Sequence, residues 1–153
     1  MLRPWKIYPA RRRAVTLVRP FVERTRSARQ IPDSAWLEPY FVGFVGMLVT
    51  LAGGAGLRAL GNDELAAVQC GAWAAITGMQ REMIGDEICS LSAERDARFE
   101  HGCVNAATFF TATQAIRPGA PLGSPGGVEE RPADALWDRF FIEPLDEYLR
   151  GIS

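Results

Sequence analysis

The sequence predicts an all-α protein of four to five helices. Apolar residues recur every three or four positions in the segments 62–89 and 93–116, which is the period of a helix face. No segment alternates apolar and polar residues as a half-buried strand does. The chain has 153 residues, of which 48% are hydrophobic and 23% are charged. This length and composition are typical of one folded domain with its own core.

Composition divides the chain into a basic N-terminal arm at 1–30, a helical core at 31–116, a Pro/Gly-rich loop at 117–132 and a C-terminal amphipathic helix at 133–153. The arm contains nine basic residues and one acidic residue, so its formal charge is +8, while the rest of the chain carries −9. Because Pro4, Pro9 and Pro20 interrupt the arm, we predict only a short helix there, around Phe21–Gln30.

The remaining predicted helices cover about 40–52, 62–89, 92–116 and 133–151. Pro39 fits the first turn of the first of them, and the glycines that follow residue 52 end it. Asn62 and Ser92 are residues that cap helix N-termini, so we place the next two starts there. In the C-terminal helix, Pro144 is expected to introduce a kink or a break.

The run Tyr40 to Leu57 contains no charged residue, which raises the question of a membrane span. Eighteen helical residues rise about 27 Å, just short of the roughly 30 Å hydrocarbon core of a bilayer. A helix over about 36–57 would place Trp36 and Tyr40 at the interface, where aromatic residues concentrate. We therefore expect one membrane-embedded helix in a bacterial or mitochondrial inner membrane, with the basic arm on the cytoplasmic or matrix side. The alternative is a soluble cytoplasmic bundle with this helix at its centre.

Gly71, Gly78 and Gly85 recur every seven residues along the predicted second core helix. Each interior glycine costs a helix about 1 kcal/mol relative to alanine, so three of them need a reason. Sevenfold spacing keeps them near one face, where they would let another helix approach closely. The glycines of the uncharged run favour the same interpretation, a helix with neighbours packed close against it.

No catalytic, cofactor-binding or metal-binding residue is predicted. The only histidine is His101, and the Glu-x-x-His motif of a di-metal carboxylate site is absent because position 98 is Arg. Cys103 lies on an apolar face that His101 does not share, so the two do not form a nucleophile–base pair. The three cysteines, Cys70, Cys89 and Cys103, follow no zinc or CxxC spacing. They are interpreted as reduced thiols, with one disulfide bridge plus a free thiol as the alternative. We expect no cofactor, and the pattern weighs against an enzyme without excluding one.

These features indicate that the protein functions by binding to other molecules. We expect a non-catalytic helical accessory or assembly subunit of a larger complex, such as a membrane complex of the respiratory type, acting through helix packing and the basic arm. Other protein subunits and anionic lipid headgroups are the expected partners, whereas nucleic acid is not expected because the body of the chain is acidic. The residues predicted to contact a partner or lipid are Arg11, Arg12, Arg13, Arg19, Trp36, Tyr40, Gly71, Gly78, Gly85, Trp137, Phe140, Phe141 and Tyr148.

The alternative function is that of a soluble homodimeric α-helical bundle that binds a small molecule. Two methionines and one phenylalanine on the predicted helices would line its pocket: Met79, Met83 and Phe110. Methionine is common on adaptable apolar binding surfaces.

Overall fold

A computed structural model describes residues 4–116 and 131–152, and the regular elements in those ranges are all helical. Its first six helices are α1 (Pro4–Ala28), α2 (Asp33–Trp36), α3 (Pro39–Gly53), α4 (Asn62–Thr77), α5 (Arg81–Glu94) and α6 (Ala97–Ala115). A 3₁₀ turn, Ala55–Ala59, lies between α3 and α4. The last helix, α7, runs without a break through Pro132–Trp137, a π-helical turn at Asp138–Ile142, and Glu143–Gly151.

The all-α class is confirmed, but the described residues contain seven helices rather than four or five. The predicted Pro/Gly-rich loop lies outside the described residues except at its last two positions. The second of these, Pro132, is already the first residue of α7, where its missing N–H and fixed φ suit a helix start.

The basic arm is one long helix, so the prediction of a short helix around Phe21–Gln30 was wrong. Pro9 and Pro20 lie inside α1 and on its exposed side, and each removes one helical hydrogen bond. Burial of the opposite side of α1 against α3 and α4 offsets that loss. The buried stripe follows helical spacing and is at most 3% exposed: Ala10, Ala14, Val18, Val22 and Thr25.

The apolar helix α3 lies at the centre of the fold. It contacts α1, α4, α5 and α6, and its aromatic residues also pack on α7. Six of its side chains are at most 1% exposed: Phe41, Val42, Phe44, Val45, Leu48 and Val49. The apolar surface that suggested a membrane span is therefore covered by other helices of the same chain.

The predicted membrane-embedded helix over 36–57 is not found as one element. That segment is divided among the end of α2, the 15 residues of α3 and the start of the 3₁₀ turn. Fifteen helical residues rise only about 22 Å. No helix in the described ranges is long and apolar enough to cross a membrane.

The backbones of helices α3 and α6 are in direct contact at Gly43 and Gly102. A Cβ atom on Gly43 would overlap the carbonyl oxygen of Phe99, and one on Gly102 would overlap the carbonyl oxygen of Tyr40 and lie 2.8 Å from the backbone nitrogen of Phe44. The two backbones therefore touch, with no side chain between them.

The predicted helix from Asn62 to about Cys89 is broken at Gly78, which was expected to lie in its interior. Gly78 has φ 82° and ψ 0°, a left-handed conformation that favours glycine, and it ends α4. The guanidinium of Arg26 in α1 donates hydrogen bonds to the carbonyls of Ile76 (3.1 Å) and Thr77 (2.6 Å). A cation is favourable at this end of a helix because the last carbonyls are unpaired and the dipole is negative there.

The predicted helix start at Ser92 was also wrong. Ser92 lies inside α5, and α6 is capped instead by Asp96, whose Oδ1 accepts from the backbone N–H groups of Arg98 and Phe99, both at 2.9 Å. Both serine and aspartate are good caps, so local chemistry alone did not separate the two positions.

Helix α7 closes the fold against α1 and α3. Trp137 is fully buried and donates its indole N–H to Thr25 Oγ1 at 2.9 Å. Arg24 pairs with Asp138 at 2.9 Å, and Arg29 pairs with Asp146 further along α7. The basic arm and the acidic C-terminal helix therefore neutralise part of each other's charge.

Candidate functional site

Two surfaces at opposite ends of α3 are candidates for binding. The first is the α1 outer face, formed by Trp5, Tyr8, Arg12 and Arg13, beside the C-terminal end of α3. The second is the α6–α7 groove, formed beside the N-terminal end of α3 by Glu38, Tyr40, Phe41, Arg98, His101, Asn105, Glu147 and Tyr148.

The α1 outer face exposes two large aromatic side chains. Trp5 is 69% exposed and Tyr8 is 66% exposed, although side chains of this size usually find apolar cover. They stand three residues apart, and Arg12 follows four residues after Tyr8, so the three lie on one side of the helix. This side is opposite the buried stripe of α1 because a helix has 3.6 residues per turn.

Shallow recesses flank Tyr8 and Arg12 on both sides. The larger has a volume of about 690 Å³ and combines the arginine side chains of Arg12 and Arg13 with Leu17 and Ala52. The smaller, of about 340 Å³, lies towards α4 and includes Arg11 and Arg19. Each recess therefore places guanidinium groups beside apolar surface.

The arginines of α1 differ in their partners. Those in its C-terminal half are held within the chain, Arg24 by Asp134 and Asp138 and Arg26 by the end of α4, and Arg29, which directly follows α1, is held by Asp146. Arg19 donates to the carbonyl of Ala75 at 2.9 Å. Within the described ranges, no acidic side chain forms an ion pair with Arg11, Arg12 or Arg13. The available positive charge is thus concentrated in the N-terminal half of α1.

The three glycines predicted to form one contact face lie in different surroundings. A Cβ on Gly71 would lie 3.2 Å from Cδ of Arg11, so this glycine makes room for α1. A Cβ on Gly85 in α5 would lie 3.3 Å from Sγ of Cys70, whereas one on Gly78 would meet nothing within 4 Å. They do not share one face of one helix, and their contact with a partner stays a prediction.

The aromatic residues predicted to contact a partner separate into two groups. Trp36, Trp137 and Phe141 lie in the core of this chain, at most 1% exposed. Tyr40 and Tyr148 both line the α6–α7 groove, and Phe140 lines a recess that adjoins it. The structure therefore brings part of the predicted set together, around a groove that the sequence did not indicate.

Glu38 lies at the bottom of the α6–α7 groove, where it caps α3. Its Oε2 accepts from the backbone N–H of Tyr40 at 2.9 Å, which fixes the carboxyl group at the helix N-terminus. Its Oε1 lies 2.6 Å from Nη2 of Arg98, an ion-pair contact whose angles fall outside hydrogen-bond geometry. The Glu38 side chain is 6% exposed, whereas that of Arg98 is 66% exposed. Burial raises the pKa of Glu38, and the charge of Arg98 opposes that rise.

A hydrogen-bonded chain of Tyr40, Asn105 and His101 crosses the groove and depends on Pro144. Proline lacks the N–H that would reach the carbonyl of Phe140 in an α-helix, and that carbonyl accepts instead from the Tyr40 hydroxyl at 2.6 Å. Asn105 Nδ2 donates to the same hydroxyl at 3.0 Å and lies 3.2 Å from His101 Nε2. Burial raises the pKa of Tyr40, so the phenol stays protonated as this donor role requires.

Two of the cysteine thiols are poorly suited to nucleophilic chemistry. Cys103 donates its thiol towards the Gly43 carbonyl at 3.5 Å, and burial raises the pKa of this thiol, which leaves it a poor nucleophile. Burial also raises the pKa of Cys70. In residues 4–116 and 131–152, no three His, Cys, Asp or Glu side chains are grouped so that they could hold a metal ion.

Of the residues proposed for the alternative pocket, Met83 is 44% exposed, while Met79 and Phe110 pack against the core.

Sequence reasoning missed six of the eight residues that define the groove: Glu38, Phe41, Arg98, His101, Asn105 and Glu147. In the sequence, Arg98 only removes a Glu-x-x-His motif and His101 lies off the apolar face of Cys103, and nothing in the local pattern links them to residue 38. One signal was present, because Pro144 necessarily leaves the carbonyl four residues before it in need of another donor. The partner of that carbonyl could not be read from the sequence.

We expect the buried Glu38 carboxyl to make stability depend on pH. Because its folded-state pKa is raised above the ordinary value of 4.5, the folded protein holds this proton more tightly than the unfolded chain. The resulting stabilisation is present at low pH and is lost as pH rises from 4.5 through the folded-state pKa. The stability of the wild type relative to Glu38→Gln should therefore fall across this window, measured by urea denaturation at successive pH values. A constant difference between the two proteins would contradict the prediction.

Comparisons with protein-family models, with curated protein sequences and with solved structures find no significant match to this chain.

Proposed function

We propose that this protein is a non-catalytic helical accessory subunit that attaches to an anionic membrane surface through the α1 outer face. The observation that carries the proposal is the exposure of Trp5 and Tyr8 beside arginines that have no acidic partner within the described ranges. In this proposal α1 lies on the bilayer surface rather than across it, and the other helices provide a rigid support for it.

Three properties of the α1 outer face favour a lipid surface over an acidic protein. Tryptophan and tyrosine are the residues that concentrate at membrane–water interfaces. Lys or Arg near an anionic leaflet contributes about 1 kcal/mol to binding. The larger recess also combines the guanidinium groups of Arg12 and Arg13 with the apolar side chains of Leu17 and Ala52, which suits a phosphate headgroup and the start of an acyl chain.

Vesicle sedimentation tests this proposal. We expect the protein to sediment with vesicles of equal parts phosphatidylglycerol and phosphatidylcholine, and to remain in the supernatant with phosphatidylcholine alone. The double variant Arg12→Gln/Arg13→Gln should lose about 2 kcal/mol of binding free energy, which is roughly a thirtyfold loss of affinity. Trp5→Ala should also weaken binding, and added salt should weaken the wild type.

The matched control is the double variant Arg81→Gln/Arg139→Gln, which changes the net charge equally but on α5 and α7. It should bind anionic vesicles almost as the wild type does. An equal loss of vesicle affinity in both double variants would indicate that the vesicles attract the protein through its net charge alone. Binding that ignores salt, or no binding to anionic vesicles, would overturn the proposal and leave an acidic protein surface as the occupant to test.

A further inference from the structure

The α6–α7 groove has no role in attachment through α1 and lies at the other end of α3. Its volume is about 560 Å³, within the range of small-molecule pockets in proteins. Its walls come from three helices: the start of α3, the first half of α6 and the second half of α7. It therefore presents a concave, partly polar site whose residues the proposed function does not use.

The groove contains a fixed carboxylate with a movable counter-ion. Glu38 is 7% exposed and its position is set by its hydrogen bond to the Tyr40 backbone. Arg98 reaches it from the groove mouth on a long, largely exposed side chain. Such a side chain can turn into solvent when another cation takes its place, whereas Glu38 cannot leave the helix start that it caps. A second cation could therefore take the place of Arg98 beside Glu38.

The surroundings of Glu38 favour an organic cation. The ring centroids of Tyr40 and His101 are 5.6 Å apart in an edge-to-face arrangement, and Tyr148 adds a second tyrosine ring to the lining. Aromatic faces attract ammonium and guanidinium groups, most strongly where water is excluded. Glu147 supplies a further carboxylate, so the lining carries two carboxylates against one guanidinium, which disfavours an anion.

We propose that the α6–α7 groove binds a small organic cation with a primary ammonium or guanidinium group, which replaces Arg98 as the counter-ion of Glu38. The apolar part of the ligand would lie against Phe41, Pro144 and Tyr148. A guanidinium can meet the carboxylate through two hydrogen bonds, so we expect it to bind more tightly than an alkylammonium of the same length.

Titration of the full chain with butylguanidinium, butylammonium and butanol, followed by amide chemical shifts in NMR spectra, tests this proposal. Both cations should shift the signals of Tyr40, Asn105 and Tyr148, and uncharged butanol should bind at least about tenfold more weakly. Glu38→Gln should weaken the binding of both cations, and that of butylguanidinium more, because it loses the paired hydrogen bonds to the carboxylate. Glu82→Gln, the same change on α5, should leave their affinity unchanged.

A second variant separates this proposal from a merely structural role of Glu38. Arg98→Gln removes the internal competitor, so butylguanidinium should bind this variant more tightly than the wild type. If the groove bound anions instead, Arg98→Gln would bind them more weakly than the wild type does. Absence of butylguanidinium binding to the folded wild type, an unchanged affinity in Glu38→Gln, or weaker cation binding in Arg98→Gln would each overturn the proposal. None of these outcomes depends on vesicle binding by α1.

Discussion

Replacing Gly102 or Gly43 with alanine is expected to destabilise the fold by about 3 kcal/mol or more. A Cβ at either position would overlap a backbone carbonyl oxygen of the facing helix, that of Tyr40 or that of Phe99. Backbone cannot turn aside as a side chain can, so α3 and α6 would have to move apart along their whole contact. This contact is the most extensive between two helices of the described chain. Urea denaturation of each variant measures the change in the free energy of unfolding.

The matched control is Gly46→Ala, three residues along the same helix. Its Cβ would lie 3.7 Å from Cδ1 of Ile88, an ordinary van der Waals contact. Alanine is the better helix former, so this variant should be unchanged or stabilised by up to about 1 kcal/mol. If Gly43→Ala and Gly46→Ala behaved alike, the close crossing of α3 and α6 would be wrong.

The helical class was predictable because residues on one face of a helix recur every three or four positions, as the buried Gly102, Ala106 and Phe109 do in α6. Helix α3 was harder to interpret, since a helix that is apolar on all sides has the same sequence in a membrane as in the centre of a bundle. Only the position of the other helices distinguishes the two, and here they cover Phe41, Phe44 and Leu48. The glycines of the uncharged run indicated close neighbours and Gly43 is one of them, but Gly102, on the other side of the crossing, belongs to neither predicted glycine pattern.

The errors in α1 and α4 have a shared physical cause. Proline weakens a helix locally, and the prediction for the arm gave that effect priority over the spacing of Ala14, Val18 and Val22, whose burial stabilises α1. At Gly78, the heptad pattern is compatible with a continuous helix and with a break. Whether the helix continues or ends at Gly78 depends on a left-handed backbone conformation there and on Arg26, which is distant in sequence. The α6–α7 groove could not be predicted for the same reason, because residues 38, 98 and 148 meet only in the folded chain.

Replacing Trp137 with alanine is expected to cost about 3–5 kcal/mol of stability. The side chain is fully buried, with its ring centroid 4.4 Å from that of Phe141 and 5.1 Å from that of Phe21. Native domains have only about 5–15 kcal/mol of stability in total, so this loss is a large fraction. Urea denaturation measures it, and hydrogen exchange should show faster opening of α7 than of the α3–α6 pair.

Trp137→Phe separates the two contributions of this side chain. It keeps an aromatic ring in the cavity but loses the hydrogen bond to Thr25 Oγ1, so we expect a loss of only about 1–2 kcal/mol. Thr25 still donates to the carbonyl of Phe21 at 3.0 Å, which limits the cost of the lost partner. A change within about 0.5 kcal/mol in Trp137→Ala would contradict core burial and favour the original prediction that Trp137 contacts a partner.

The variant Trp137→Ala should affect the two candidate surfaces differently. Trp137 anchors α7, which supplies Pro144, Glu147 and Tyr148 to the α6–α7 groove. The N-terminal half of α1, which carries Trp5 and Tyr8, packs instead beside α3 and α4. Loosening α7 should therefore weaken butylguanidinium binding while vesicle binding persists. Because only one function depends on α7, their joint loss in Trp137→Ala would mean that the whole fold had failed, and circular dichroism of the helices would detect this.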